Sequence, residues 1–268
     1  MVTRADIGVI GGSGLYSLLD DAEEVQVSTP YGPPSDTITL GRIGGRSVAF
    51  LPRHGRGHEH PPHRIPYRAN MWALRSLGVR QVLAPCAVGS LRVEYGPGTL
   101  VIPDQLVDRT TSREQTYYDS GCAVHVSFSD PYCPSGRGVA LSAAREEGWP
   151  PVDGGALVVI EGPRFSTRAE SQWYAGAGWS IIGMTALPEA VLARELALCY
   201  TQISLVTDHD AGVVAGEGVT HEEVLAVFAA NVERMRSLIG RAVAALPSER
   251  SCSCGSVLDG IPLPFELP

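Results

Sequence analysis

Short apolar runs recur along this chain, and one after another stops at a cluster of glycine and polar residues. Ile7 to Ile10 opens into Gly11-Gly12-Ser13-Gly14, Ser47 to Leu51 into Pro52-Arg53-His54, and Gln81 to Ala84 into Pro85-Cys86-Ala87-Val88-Gly89-Ser90. Further on, Ala156 to Ile160 leads into Glu161-Gly162-Pro163-Arg164-Phe165, Ser180 to Ile182 into Gly183-Met184-Thr185, and Tyr200 to Val206 into Thr207-Asp208-His209-Asp210. Runs of this length between turn residues read as buried strands. Thr37 to Leu40 and Ser47 to Leu51 read as a hairpin through the Gly44-Gly45 turn signal. Helical periodicity fills the spaces between strands: Tyr67 to Leu77 before Gly78, Gly138 to Glu147, Thr167 to Ala177 before Gly178, and Leu187 to Leu196. Thr220 reads as the N-cap of a long amphipathic helix to about Leu246, with Glu222 and Glu223 in its first turn. Strands alternating with helices predict an α/β fold, a single domain with a central mixed, largely parallel sheet flanked by helices. That domain is expected over 1–246, with a Ser-, Cys- and Pro-rich tail, 247–268, packing on it or on a neighbouring subunit. Residues 104–136 read as a long irregular stretch, and such stretches are commonly lids or subunit contacts.

The net charge of −8 excludes general binding of nucleic acid or of an anionic membrane surface. No apolar run approaches the roughly 20 residues that cross a bilayer. The start, MVTRADIGVIGG, carries no signal-peptide pattern, so a cytoplasmic location is expected. Against this acidic background a cationic island stands out. Four of the seven histidines fall between His54 and His63, among Arg53, Arg56 and Arg64. Such an island at a strand end suits an anion. It does not suit a metal: His58, His60 and His63 lack the i, i+4 helical spacing, prolines 61 and 62 prevent a helix, and the arginines oppose a dication. Cys86 and Cys199 read as reduced core thiols. Cys252 and Cys254 read as exposed thiols on the tail, with no further metal ligands at suitable sequence spacing. No metal site is expected.

Ligands in α/β sheets bind beyond the carboxyl ends of the strands, so Ser13, Arg53-His54, Cys86-Ala87, Met184-Thr185 and Asp208 to Asp210 should converge. The Gly11 to Gly14 turn offers backbone N–H groups to a phosphate, although neither the dinucleotide fingerprint nor the Walker pattern is present. Arg53 and His54 can add charge-assisted bonds. Asp208 and Asp210 project to one side if the strand stays extended, and crowding raises one carboxyl pKa toward neutrality. Such a pair can donate to a ring nitrogen and accept from an exocyclic amine.

With these segments assembled, the chain resembles the methylthioadenosine phosphorylases of the trimeric purine nucleoside phosphorylase family from Ile7 to about Leu246. The likeness rests on VIGGSGL, TPYGPPSD, RHGRGH, CAVGSL, DQLVDRTT, EGPRFSTRAES, GMTALPEAVLARE and TDHD, in that order. The resemblance implies phosphorolysis of a purine nucleoside, with inorganic phosphate as co-substrate and no metal or organic cofactor. It implies phosphate binding by Ser13, Arg53, His54, Cys86, Ala87 and Thr185, with Cys86 standing where a relative has threonine. A thiol is a weak donor in that place. It also implies Met184 under the ribose, Phe165 on the purine, His58 and His125 at the 5′ end, and Asp208 and Asp210 as the catalytic carboxyls. A homotrimer follows from the same likeness, His125 reaching in from a neighbour. Two carboxyl groups favour a 6-amino purine, and apolar Val213, Val214 and Val219 suggest a 5′-thioether pocket. A 6-oxopurine nucleoside phosphorylase, a phosphorylase of another 5′-modified adenosine, a water-using nucleosidase and a noncatalytic nucleotide sensor remain as alternatives.

Overall fold

Alternation within single strands decides how this molecule is layered. In the first strand, β1 (Ile7–Gly11), Ile7 and Val9 face one apolar cluster and Ile10 faces another. The same split recurs in β4 (Arg46–Pro52), with Phe50 on one side and Ala49 and Leu51 on the other, and in β5 (Gln81–Ser90), with Leu83 opposite Val82 and Ala84. Strands buried on both faces need helices on both faces. The computed structural model, which describes residues 4–12, 19–214 and 219–268, supplies them. Helices α1 (Tyr67–Ser76) and α4 (Ala186–Glu195) cover the first face through Met71, Leu74 and Leu192. Helices α2 (Pro134–Glu146) and α5 (His221–Ala245) cover the second through Leu141, Met235 and Ile239. Helix α3 (Arg168–Gly176) packs Tyr174 on a smaller cluster with Leu91 and Ile182.

The remaining strands are β2 (Asp20–Val25), β3 (Ile38–Ile43), β6 (Leu100–Ile102), β7 (Gln105–Arg109), β8 (Val152–Asp153), β9 (Ala156–Ile160), β10 (Ile181–Gly183) and β11 (Cys199–His209). They join one sheet in the order β2-β3-β4-β1-β5-β10-β9-β7, with β11 along β5, β6 on β11 and β8 on β6. Among the described residues six pairings are parallel and four antiparallel. This is the mixed, largely parallel α/β sheet that the alternating pattern predicts. The Gly44-Gly45 hairpin is also present, with φ of 54° and 81° at its two glycines.

Strand β5 holds the sheet together. One edge pairs with β11 along its whole length. The other edge pairs with β1 at Gln81 to Leu83 and with β10 at Gly89 and Ser90. Pro85 to Ser90, read from sequence as a loop, is therefore strand. The two partners at its edges override the local breakers Pro85 and Gly89.

One further expectation needs correction. Residues 104–136 are not structureless: β7 pairs in parallel with β9, and Tyr117 and Tyr118 are buried against the body. The acidic DDAEEV segment, which has no apolar alternation, is an exposed edge strand held by β3. The tail beyond α5 lies on the domain. Gln81 Nε2 donates to the Pro247 carbonyl (2.9 Å), and the Phe265 ring stacks on Tyr118 at 5.3 Å.

Candidate active site

At the carboxyl ends of the strands lies a cavity of about 470 Å³, within the roughly 300–1,000 Å³ range of small-molecule sites. Its wall takes Gly12 after β1, Arg53 and His54 after β4, Cys86, Ala87 and Gly89 from β5, Met184 and Thr185 after β10, and Asp208 and Asp210 from the end of β11. The strand-end residues singled out in the sequence thus converge, save Ser13, which lies outside the described residues.

Arg53 is the most constrained of them. It is buried, and Glu189, in the first turn of α4, binds it twice: Nε to Oε1 at 2.6 Å and Nη2 to Oε2 at 3.1 Å. The carbonyls of Pro85 and Ile10 accept from Nη1 (3.1 Å) and Nη2 (3.0 Å). Burial opposes the charge, and the Glu189 carboxylate more than offsets it, holding the guanidinium firmly protonated. A guanidinium has five N–H donors, so these four bonds leave one Nη1 hydrogen for a ligand. Tyr200 Oη donates to Glu189 Oε2 at 2.8 Å and completes the support.

A gap in the pairing of β5 opens its backbone to the cavity. From Ala84 to Val88 one edge of β5 has no strand partner among the described residues. The Pro85 carbonyl lies on that edge, where Arg53 takes it. Backbone direction alternates along a strand, so the Ala87 N–H points the same way, toward the cavity. Beside it the Cys86 thiol meets the Thr185 hydroxyl at 3.2 Å.

His54 departs from the charged donor its sequence neighbourhood suggests. Burial pushes its imidazole down to about 4, and Arg53 and His58 act in the same direction. Its Nδ1 donates to the His60 carbonyl at 2.9 Å, since a carbonyl can only accept. The ring is neutral near pH 7, with Nε2 left as an acceptor. His58 adopts φ 59°, in the left-handed region, and its ring stacks on His54 at 5.0 Å. Single residues held in such backbone regions gather at ligand sites.

Asp208 and Asp210 line the same cavity beside Gly89. Burial pushes the Asp208 carboxyl up to about 6; the Thr207 hydroxyl, which donates to Oδ1 at 2.8 Å, opposes this, and the Asp210 carboxylate adds to it. Asp210 is almost fully buried, its backbone N–H donates to the Ser90 carbonyl at 2.9 Å, and its Oδ2 accepts from Ser171 Oγ. Ser171 comes from α3, whose start is fixed by a capping box: Thr167 Oγ1 accepts from the Glu170 N–H, and Glu170 returns the bond to the Thr167 N–H. The EGPRFSTRAES segment thus caps a helix and delivers Ser171 to Asp210. Gly89 keeps this corner open, because a Cβ there would stand 3.0 Å from both Asp208 Oδ2 and Ile182 Cγ2 and press on both.

Phe165, partly exposed, and Met184 line the remaining wall. Arg113 sits behind them, unforeseen in the sequence. Its guanidinium donates to the carbonyls of Met184 (2.7 Å), Glu161 (2.6 Å), Ile160 (3.2 Å) and Leu187, tying the β9 and β10 ends together. The apolar end of the cavity is also not the expected one. Val213 packs on Tyr174 and Ile182, and Val213, Val214 and Val219 are not among its lining; α5 supplies Val224, Leu225 and Phe228 instead. Residues 104–136 contribute nothing to the wall within one chain, and His125 is exposed away from it. No described residue of 104–136 or of 211–220, the two candidate covers read from the sequence, lines the cavity; Phe165 and the first turns of α5 do.

A family model described as the phosphorylase superfamily matches residues 6–244. The chain belongs to the phosphorylase superfamily. A purine nucleoside phosphorylase of Streptomyces coelicolor is 65% identical over 99% of this chain and 98% of its own. An S-methyl-5′-thioadenosine phosphorylase of Mycolicibacterium smegmatis is 56% identical over 98% and 99%. Among solved structures, a methylthioadenosine phosphorylase from an antarctic soil metagenomic library superposes with a TM-score of 0.91, at 41% identity, over 96% of this chain and 92% of that one. This phosphorylase is therefore an enzyme of the nucleoside phosphorylase type, a pentosyltransferase. No described helix is long and apolar enough to cross a membrane.

Proposed function

We propose that the chain cleaves the glycosidic bond of 5′-methylthioadenosine with inorganic phosphate, giving adenine and 5-methylthioribose 1-phosphate. The observation that carries this reading is the carboxyl pair at the end of β11: one member titrates near 6 and the other is held in place by Ser171. As the C1′–N9 bond breaks, its electron pair moves onto the purine and positive charge builds on the ribose. Asp208 in its protonated form donates to N7 of the departing base, while Asp210 accepts from the 6-amino group. Phosphate attacks C1′ from the cationic side and forms the new C–O bond. A proton donor and an anion placed where charge develops are the two contributions such a cleavage needs.

In this reading the phosphate lies among Arg53, His54, Cys86, Ala87 and Thr185, joined by Ser13. Arg53 supplies its remaining Nη1 hydrogen and Ala87 its N–H. Neutral His54 accepts from a protonated phosphate oxygen or takes up a proton as the dianion binds. Met184 lies under the ribose, Phe165 stacks on the base, and His58 stands near the 5′ end. The enzyme acts in this proposal as a cytoplasmic homotrimer in which His125 completes a neighbour's cavity.

Release of free base from methylthioadenosine and from inosine, each with and without phosphate, tests the proposal. Adenine release that requires phosphate, with inosine a poor substrate, is the expected result; release without phosphate would make the protein a hydrolase. The purine nucleoside phosphorylase among its relatives favours a second reading, a broader preference that includes 6-oxopurine nucleosides. Faster release from inosine would establish it.

The apolar end formed by Val224, Leu225 and Phe228 suits a methylthio group. Leu225→Asp is expected to lower kcat/KM for methylthioadenosine about tenfold, the order of one lost apolar contact, and to spare adenosine. Equal losses on both substrates would remove Leu225 from 5′ recognition.

A further inference from the structure

Four of the six cysteines meet at the end of the sheet remote from the cavity. Cys133 is the N-cap of α2, Cys199 is the first residue of β11, and Cys252 and Cys254 lie in the tail at a single 3-10 turn, Ser253–Gly255. Their four sulfurs all lie within 4.8 Å of one another. Cys199 and Cys252 are 3.4 Å apart, and Cys133 and Cys252 are 3.6 Å apart. Cys133, Cys199 and Cys254 are each at most 2% exposed. Contrary to what their sequence spacing suggests, the tail cysteines are neither exposed nor short of partners. The missing ligands come from positions far along the chain.

We infer that Cys133, Cys199, Cys252 and Cys254 form a tetrathiolate site for one zinc ion. Zinc bound by cysteine has a Zn–S distance of about 2.3 Å in a tetrahedron, whose edge is then about 3.8 Å. The Cys199–Cys252 and Cys133–Cys252 separations, 3.4 and 3.6 Å, lie near that edge, whereas a disulfide needs about 2.05 Å. The backbone is arranged for thiolate as well. Cys133 Sγ accepts the Gly136 N–H at 3.4 Å at the start of α2, where peptide dipoles favour negative charge. Four thiolates around a dication leave a net charge of −2, and cationic side chains gather at this end. Arg250 packs over Gly255 and donates to the Ala197 carbonyl at 2.7 Å, and Arg80 and Arg4 lie near enough for mutual repulsion. Four sulfur donors, with no carboxylate or imidazole among them, select a soft cation over magnesium or calcium.

The site would pin the tail. Cys199 and Asp208 are nine positions apart on β11, roughly 30 Å at the rise of a strand, so the ion takes no part in the reaction. Binding exchanges four thiol protons for one zinc ion and changes no oxidation state. The test is metal analysis of the full-length protein purified under reducing conditions, beside the double variant Cys252→Ser, Cys254→Ser. One zinc per chain in the parent and none in the variant is expected, together with a lower Tm and early proteolytic loss of the tail in the variant, whose base-release rate at 25 °C is unchanged. Cobalt(II) added to the stripped parent is expected to give thiolate-to-metal charge-transfer absorption that the variant lacks. A reduced parent that binds neither zinc nor cobalt would overturn the proposal. So would native protein whose cysteines map as Cys133–Cys199 and Cys252–Cys254 disulfides.

Discussion

Asp208→Asn is expected to lower kcat/KM for methylthioadenosine by about 10²- to 10⁴-fold, the usual worth of a positioned general acid. An amide can donate to N7 but cannot transfer a proton as the base leaves. In the parent enzyme kcat/KM should fall with pH above about 6, because the free enzyme loses its proton from Asp208 there. The Asn variant should lose that limb. It should also lose less on 6-oxopurine nucleosides, whose O6 prefers a donor. Stability separates this from a structural effect. The folded state raises the Asp208 pKa, so it binds the proton more tightly than the unfolded chain. Stability attributable to this group therefore falls as pH rises from about 4 to 6, and the cost is fully present above 6. Asn carries no such cost, so the variant at pH 7 should be inactive without a lower Tm. A pH profile unchanged in the variant would exclude Asp208 as the proton donor.

Glu189→Ala should have the largest effect on stability. It leaves Arg53, only 2% exposed, charged and without its bidentate partner. Breaking a buried pair from one side costs about 3–5 kcal/mol, or on the order of 10 °C in Tm for a chain of this size. Glu189→Gln, which keeps one acceptor, should fall between. The KM for phosphate should rise in both, since Arg53 loses the carboxylate that aims its last free hydrogen. A Tm within about a degree of the parent in Glu189→Ala would show that water reaches Arg53 and that the pair is not buried in solution.

The residues that line the cavity were largely legible in the sequence, whereas those that hold them were not. Arg53, His54, Asp208 and Asp210 each follow an apolar run, and the geometry of a parallel sheet sends such residues to one end. Their supports are remote in sequence: Glu189 lies 136 residues from Arg53, Ser171 lies 39 from Asp210, and Arg113 reaches carbonyls up to 74 residues away. No local pattern encodes those pairings. The same reason hid the cysteine cluster, whose members are separated by 53 and 119 residues. In the fold, the core strands were visible because both their faces are apolar. Strand β2 was invisible because its pairing, not its side chains, makes it a strand. The second half of β5 was misread because Pro85 and Gly89 signal turns when their neighbours across the sheet are unknown. The neutral state of His54 was hidden as well: burial sets it, and burial is a property of the assembled wall.

The double pairing of β5 also sets how the two ends of a substrate are treated. In the proposed binding mode the wall beside the base is a strand laced to β11 along one edge and to β10 at its tip, with Gly89 packed against Asp208. Those of its amides that bond to β11 can open to solvent only when the sheet itself opens, so they should exchange hydrogen as slowly as any in the molecule, unlike the Ala87 N–H on the open edge. The opposite end is closed by a helix tip that shares no ladder with the sheet and presents a half-exposed leucine. Mutation can therefore redraw tolerance for the 5′ substituent at little cost to folding, while a change of base must pass through the most stable part of the protein.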